Sequence, residues 1–127
     1  MKKLILYTTL ASTLFLSTIC SAAEYNTRIP LPGSTVANEK LQYDTLMPVY
    51  MAVATKTKNC DKMSVTNTQV TKEPYDLEYQ YGQAVAGKWE ELWSVNACQQ
   101  QFEVPIKFIL DITGASYVVS PNRIYKK

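Results

Sequence analysis

Apolar residues along this chain recur first with a helical period and then with a period of two. Leu46, Val49, Tyr50, Val53 and Thr57 fall at i, i+3, i+4, i+7 and i+11, which places them on one face of a helix. Asp44 or Thr45 is positioned to cap that helix, Pro48 is tolerable in its first turn, and Lys56, Lys58 and Lys62 suit the negative end of its dipole. The helix is expected to stop near Asn59 and Cys60. Beyond it, Met63, Val65, Asn67 and Gln69 alternate with Ser64, Thr66, Thr68 and Val70, a β-prone run that ends before Pro74. Tyr75, Leu77, Tyr79 and Tyr81 alternate with Asp76, Glu78 and Gln80, as a strand or a tyrosine-bearing flap. The stretch from Gly82 to Gly87 reads as a connection. Lys88 to Val95 and Gln101 to Leu110 form the strongest strand pair, joined by a loop over Asn96 to Gln100; Pro105 in the second suggests an edge strand or a bulge. Thr113 and Gly114 turn the chain, and Ser116 to Ser120 adds a short last strand.

This order predicts an α+β fold, one N-terminal helix packed on an antiparallel β-meander of about four or five strands. An all-β sandwich is the alternative. Residues 24–43 contain Pro30, Pro32 and Gly33 and no sustained period, so they read as an extended arm ahead of a single α+β domain at 44–127. Residues 1–23 match a secretory signal peptide: Lys2 and Lys3, then an apolar stretch from Leu4 to Ile19, then Ser21, Ala22 and Ala23. That stretch is short for a membrane helix and is diluted by Thr and Ser, so no stable membrane span is expected after cleavage near Ala23. A lipid anchor at Cys20 is disfavoured by the bulky Ile19 before it. The expected location is periplasmic or secreted.

Removal of the signal leaves Cys60 and Cys98, an even pair in an exported chain, and such pairs usually close a disulfide. A catalytic thiol has no base here, because the chain contains 0 His. The same absence rules out Ser-His-Asp and Cys-His constellations and the usual His metal sites. There is no CxxC, GxGxxG, GxxxxGK[ST] or EF-hand loop, so no cofactor and no metal is expected. Of the 13 basic residues of the full chain, Lys2 and Lys3 leave with the signal, and those that remain balance the 11 acidic ones. A nucleic-acid partner needs a basic excess on one face; Arg123, Lys126 and Lys127 read instead as a solvated tail.

The stretch Gly87 to Cys98 carries the candidate chemistry. In a strand, Trp89, Glu91, Trp93 and Val95 share one face, and Glu90 points the other way, so the adjacent glutamates cannot act as a carboxylate pair. Burying Glu91 between two indole rings is costly unless a cation or donors meet it, with Lys107, Arg123 or a tyrosine hydroxyl in view. The bland alternative is a rim glutamate paired across the sheet. Tyr75, Tyr79 and Tyr81 make a second candidate surface, since tyrosine is enriched where proteins bind one another, although a half-buried strand has the same period.

The pattern Gly87, Trp89, Glu91, Trp93, Val95, Cys98, then Val104, Pro105 and Phe108, following a helix that ends at Cys60, resembles a family of small uncharacterised exported proteins of Gram-negative bacteria. The resemblance spans Leu46 to Val119. It implies a periplasmic or secreted location and a Cys60–Cys98 pairing, both reached separately above, and no activity or catalytic residue. Such relatives carry Gly after the second cysteine, where this chain has Gln99 and Gln100. The reading that follows is a protein-binding module of the cell envelope, including inhibitor and immunity roles, with an envelope or secreted protein as partner. Tyr75, Tyr79, Tyr81, Trp89, Glu91 and Trp93 are its candidate surface. A small-ligand carrier is the second reading. A hydrolase using Glu91 or Asp111 is the third, and it requires a cleft that joins two carboxylates.

Overall fold

A computed structural model describes residues 23–127. The signal-peptide and Cys20 expectations therefore lie outside the described residues, apart from Ala23. A short strand β1 (Glu24–Tyr25) leads through an arm to helix α1 (Glu39–Ala54). Then follow β2 (Lys62–Gln80), β3 (Gln83–Ala97), β4 (Gln100–Asp111) and β5 (Gly114–Val119), a 3-10 turn at Pro121–Arg123, and β6 (Tyr125–Lys126). The sheet runs β1-β2-β3-β4-β5, with β6 beside β4, and curls around the helix. The α+β expectation holds in outline, but strands dominate. The sandwich alternative fails, because all the strands among the described residues belong to one sheet. None of the described helices is long and apolar enough to cross a membrane.

The predicted helix face is the buried one, with Leu46, Val49, Tyr50 and Val53 all at 0% exposure. Its start is earlier than the sequence suggested. Asn38 caps it, its side-chain oxygen accepting from the Leu41 amide at 2.9 Å, so Asp44 and Thr45 are interior and Pro48 sits mid-helix. The ring nitrogen of Pro48 denies a partner to the Asp44 carbonyl, but Asp44 is exposed and water can take that bond. The stop also comes sooner, at Ala54. Thr55 and Thr57 donate their hydroxyls to the Ala52 and Ala54 carbonyls, offering the backbone an alternative to further helix.

The arm is packed against the sheet, not loose. Gly33, at φ +104°, crosses β2 so closely that a Cβ there would lie 2.2 Å from the Thr68 carbonyl oxygen. Thr68 fixes the crossing by donating to the Pro32 carbonyl at 2.8 Å and accepting from the Thr35 amide at 3.0 Å. Buried Gln42 ties the arm to the helix: it accepts from the Leu31 amide at 2.8 Å and donates to the Ala37 carbonyl at 2.7 Å.

β2 is one long strand through Pro74, with the connection expected at Gly82–Gly87 replaced by a two-residue turn at Tyr81–Gly82. Pro74 is accommodated because the register slips between Lys72 and Tyr75, where no ladder bond is required. Pro105 lies on central β4, contrary to the edge-strand expectation. The β3–β4 hairpin closes on the pair Ala97↔Gln100, so even-numbered β4 residues bond β3 and the nitrogen of Pro105 points the other way. There it meets the gap between β6, which stops at Glu103, and β5, which starts at Ile106.

Cys60 and Cys98 form the expected disulfide, with Cα atoms 5.7 Å apart, fastening the segment after α1 to the β3–β4 turn. That turn contains only Cys98 and Gln99, both left-handed at φ +50° and +69°.

Tyr50 joins helix, arm and sheet. Its hydroxyl donates to the Asn26 carbonyl at 2.5 Å and accepts from the Val65 amide at 3.2 Å. Burial pushes its pKa above the usual 10.0, against a smaller lowering by the Val65 amide. The folded chain thus keeps this proton to higher pH than the unfolded chain. Its contribution to stability is complete below pH 10 and is lost as pH rises from there through the folded value. Tyr50→Phe is expected to cost about 1–3 kcal/mol near neutrality and to flatten the loss of stability as pH rises above 10.0, as urea titrations at each pH will read.

Candidate functional site

The alternation of β3 puts Trp89, Glu91 and Trp93 on the face that meets the helix, as the sequence predicts, and their side chains bond to one another. The indole of Trp89 donates to Glu91 Oε2 at 2.7 Å and the indole of Trp93 donates to Oε1 at 3.0 Å. Glu91 Oε2 also accepts from the amide of Val36 in the arm, at 3.3 Å. Neutral N–H donors take the place expected for Lys107, Arg123 or a tyrosine hydroxyl. Glu91 is 1% exposed and Trp93 0%, while Trp89 is half-buried and stacked on Phe108 with ring centroids 5.0 Å apart. Glu91 and Trp93 therefore leave the candidate binding surface. They form a structural clasp, which holds the arm two residues before the helix cap.

The clasp offers little to acid–base chemistry. Its carboxylate is occupied by donors and screened from solvent. Asp111 stands apart at the exposed β4–β5 turn, where the Thr113 hydroxyl and then the Thr113 amide hold its carboxyl below the usual carboxylate range. Another buried acid, Glu103, lies on the opposite face of the sheet, accepting from Ser94 at 2.7 Å and Gln101 at 3.1 Å. Among the described residues no group of three or more Cys, Asp or Glu is arranged to hold a metal. A carrier would need an enclosed apolar chamber. The centre is instead filled by Trp93, Tyr50, Phe108 and Leu46, and a depression of about 550 Å³ lies on the outside beside the disulfide, lined by Asp61, Lys62, Met63 and Ser64 among others.

The tyrosines occupy a different place. β4 meets β3 only from Gly87 onward, so Gln83–Ala86 and the β2 residues opposite them form a ribbon that runs past the body of the sheet. Tyr75 sits at its base, half-buried, with Lys72 Nζ 4.0 Å from its ring centre. Tyr79 is 63% exposed, and Tyr81 at the tip is entirely exposed. The even alternation expected for these three is broken by register slips between Tyr75 and Glu78 and between Glu78 and Tyr79. Leu77 packs over Gly87, where a Cβ would come within 2.6 Å of its methyl carbon, yet it remains 40% exposed. The strand also displays Glu73, Asp76 and Glu78 to solvent. The sequence reading found the tyrosines. It offered a strand or a flap there but not one strand continuous with the run before Pro74 and paired with Gln83–Ala86, because the length of β2 depends on bulges that an alternating pattern conceals.

Tyr81 is unusual in its backbone. It takes the first position of the Tyr81–Gly82 turn at φ +53°, a conformation in which a bulky side chain is strained by about 1 kcal/mol and which Asn, Asp or Gly adopts more readily. Its ring recovers little of that cost by burial, since it is exposed throughout.

No family model, no curated protein and no solved structure matches this chain.

Proposed function

We propose that this chain is an exported, disulfide-bonded protein-binding module of the periplasm or the extracellular space, and that the tip of the β2–β3 ribbon contacts its partner. The observation that carries this reading is Tyr81. A large aromatic ring is held in a strained turn position with nothing of its own chain against it, and strain without internal compensation is characteristic of sites that act on something else. Tyrosine also supplies contact area at low entropic cost. Leu77 and Tyr79 extend the apolar surface, and Glu73, Asp76 and Glu78 give its flank a negative character, so the matching partner presents an apolar recess bordered by basic residues. A ribbon of this shape suits insertion into a cleft, the geometry of an inhibitor or immunity protein. The Cys60–Cys98 bond and the leader-like N-terminus agree with export.

The test exploits the turn. Tyr81→Asn places a residue suited to the left-handed position and removes the ring, so thermal stability is expected to hold or rise slightly. Capture of a partner from envelope extract, through a photo-crosslinking residue at position 79, is expected to fall by about tenfold or more in this variant. A crosslinker at exposed Lys58, remote from the ribbon in sequence, is expected to capture none. Equal capture by the native chain and Tyr81→Asn would end the proposal.

A further inference from the structure

The two long edges of the sheet are treated differently. Along β2, the Met63 carbonyl receives the Asn26 amide at 2.9 Å, the Thr68 carbonyl receives the Ser34 amide at 2.8 Å, and the Val65 and Val70 amides are met by the Tyr50 and Ser34 hydroxyls. Past Val70 come Lys72, Glu73, Pro74, Asp76 and Glu78, with repeated register slips. These are the usual devices that stop an edge from pairing. β5 has none of them. Its sequence, Gly-Ala-Ser-Tyr-Val-Val, holds no charge and no proline, and its register with β4 is unbroken from Asp111↔Gly114 to Ile106↔Val119.

The hairpin register shows which groups are free. The two-residue loop closes on Asp111↔Gly114, so Gly114, Ser116 and Val118 turn their amides toward β4, and Ala115, Tyr117 and Val119 turn theirs outward. Among the described residues nothing hydrogen-bonds those outward groups. We propose that this edge pairs antiparallel with β5 of a second copy of the chain, centred on Tyr117, to join the two sheets across a two-fold axis.

The size pattern of the strand singles out a second copy as the occupant. In this register Ala115 lies opposite Val119 and Ser116 opposite Val118 of the other molecule, so the small residues of the first half of β5 meet the larger ones of its second half. The two-fold axis keeps both helices on the same side of the joined sheet. An unrelated extended peptide would satisfy the backbone but would give no account of the size matching. This inference does not depend on the ribbon's role.

The experiment is sedimentation velocity of the purified chain, disulfide formed, across a range of concentrations, together with amide hydrogen exchange. Expected is a monomer–dimer equilibrium in which the amides of Ala115, Tyr117 and Val119 exchange more slowly as concentration rises, while that of Val118 is slow throughout. Ala115→Pro removes an outward amide and no internal ladder bond, and it is expected to weaken dimerisation by about tenfold or more. If that variant does not fold, the exchange pattern of the native chain decides by itself. The proposal is overturned by a chain that stays monomeric, by a dimer in which those three amides exchange freely, or by protection that appears only when another protein is added.

Discussion

Glu91→Ala is expected to lower the stability of the fold by about 3–5 kcal/mol, the largest effect of any single substitution considered, although Glu91 is a charged residue in a β-strand. The reason is what it leaves behind. The Trp93 indole N–H is fully buried, the Trp89 indole N–H partly so, and the Val36 amide holds the arm; all three lose their acceptor together, and a side-chain-sized void opens between the rings. Each buried donor left unsatisfied costs about 1–3 kcal/mol, and the void adds to this. Glu91→Gln separates hydrogen bonding from volume. Its amide fills the same space but offers one acceptor oxygen, and its NH₂ group faces a donor, so a loss of about 2–3 kcal/mol is expected. The measurement is urea unfolding followed by tryptophan fluorescence, which reports the two rings of the clasp directly. Adding Trp89→Phe to Glu91→Gln should recover part of the loss, because the donor that has no acceptor disappears with it. An unchanged midpoint in Glu91→Gln would show that the clasp contributes nothing.

Reducing the Cys60–Cys98 bond is the second large effect. The bond closes a loop with a sequence separation of 38. Cross-linking residues so far apart restricts the unfolded chain by about 4 kcal/mol on an entropic account, and native disulfides of small domains usually contribute 2–5 kcal/mol. The bond sits at the end of the β2–β3 ladder, beside the pair Met63↔Ala97 and the Cys98 amide that donates to the Lys62 carbonyl at 3.1 Å, and it ties the segment after α1 to a turn in which Cys98 and Gln99 are both left-handed. The expected outcome is a fall in Tm of roughly 10–25 °C on reduction, read by circular dichroism with and without reductant. Cys60→Ser together with Cys98→Ser should match the reduced protein. A double variant that melts with the oxidised chain would show that the sheet and arm hold these segments without help.

These two effects concern features with different legibility. The disulfide could be read from cysteine arithmetic, because a chain whose N-terminus reads as a signal, with two cysteines beyond it and no histidine, leaves few uses for them. The clasp was half legible. Alternation on β3 put Trp89, Glu91 and Trp93 on one face, but the third donor is the Val36 amide, 55 residues away in sequence, and no local pattern announces it. Donors do meet Glu91, but none of the partners in view for it, Lys107, Arg123 or a tyrosine hydroxyl, is among them. Side-chain chemistry is visible in a sequence, whereas the backbone N–H that serves as a donor is present at nearly every residue and is selected only by position. The same holds for Thr68, which looks like one more threonine in a β-prone run yet carries the arm's crossing through Gly33.

What the sequence by itself determined is what depends on neighbours within a few positions: the buried face of α1, the β3–β4 pair, the shared face of the two tryptophans and Glu91, and the absence of histidine chemistry. Periodicity is set by backbone geometry, which is the same in every protein, so these features are readable without a fold. Tertiary structure alone decided where elements end and what the unpatterned segments do. It turned the arm at residues 24–43 into a packed strap and the first turns of α1, carried β2 through Pro74 by shifting register, and oriented the missing amide of Pro105 into a gap between two strands. It also separated the candidate surface into an interior clasp and an exposed ribbon. Burial is a property of the whole packed chain: Trp93 and Tyr81 are both large aromatics in alternating runs of the sequence, and only the position of the helix over one and of solvent around the other makes the first a core residue and the second an exposed one.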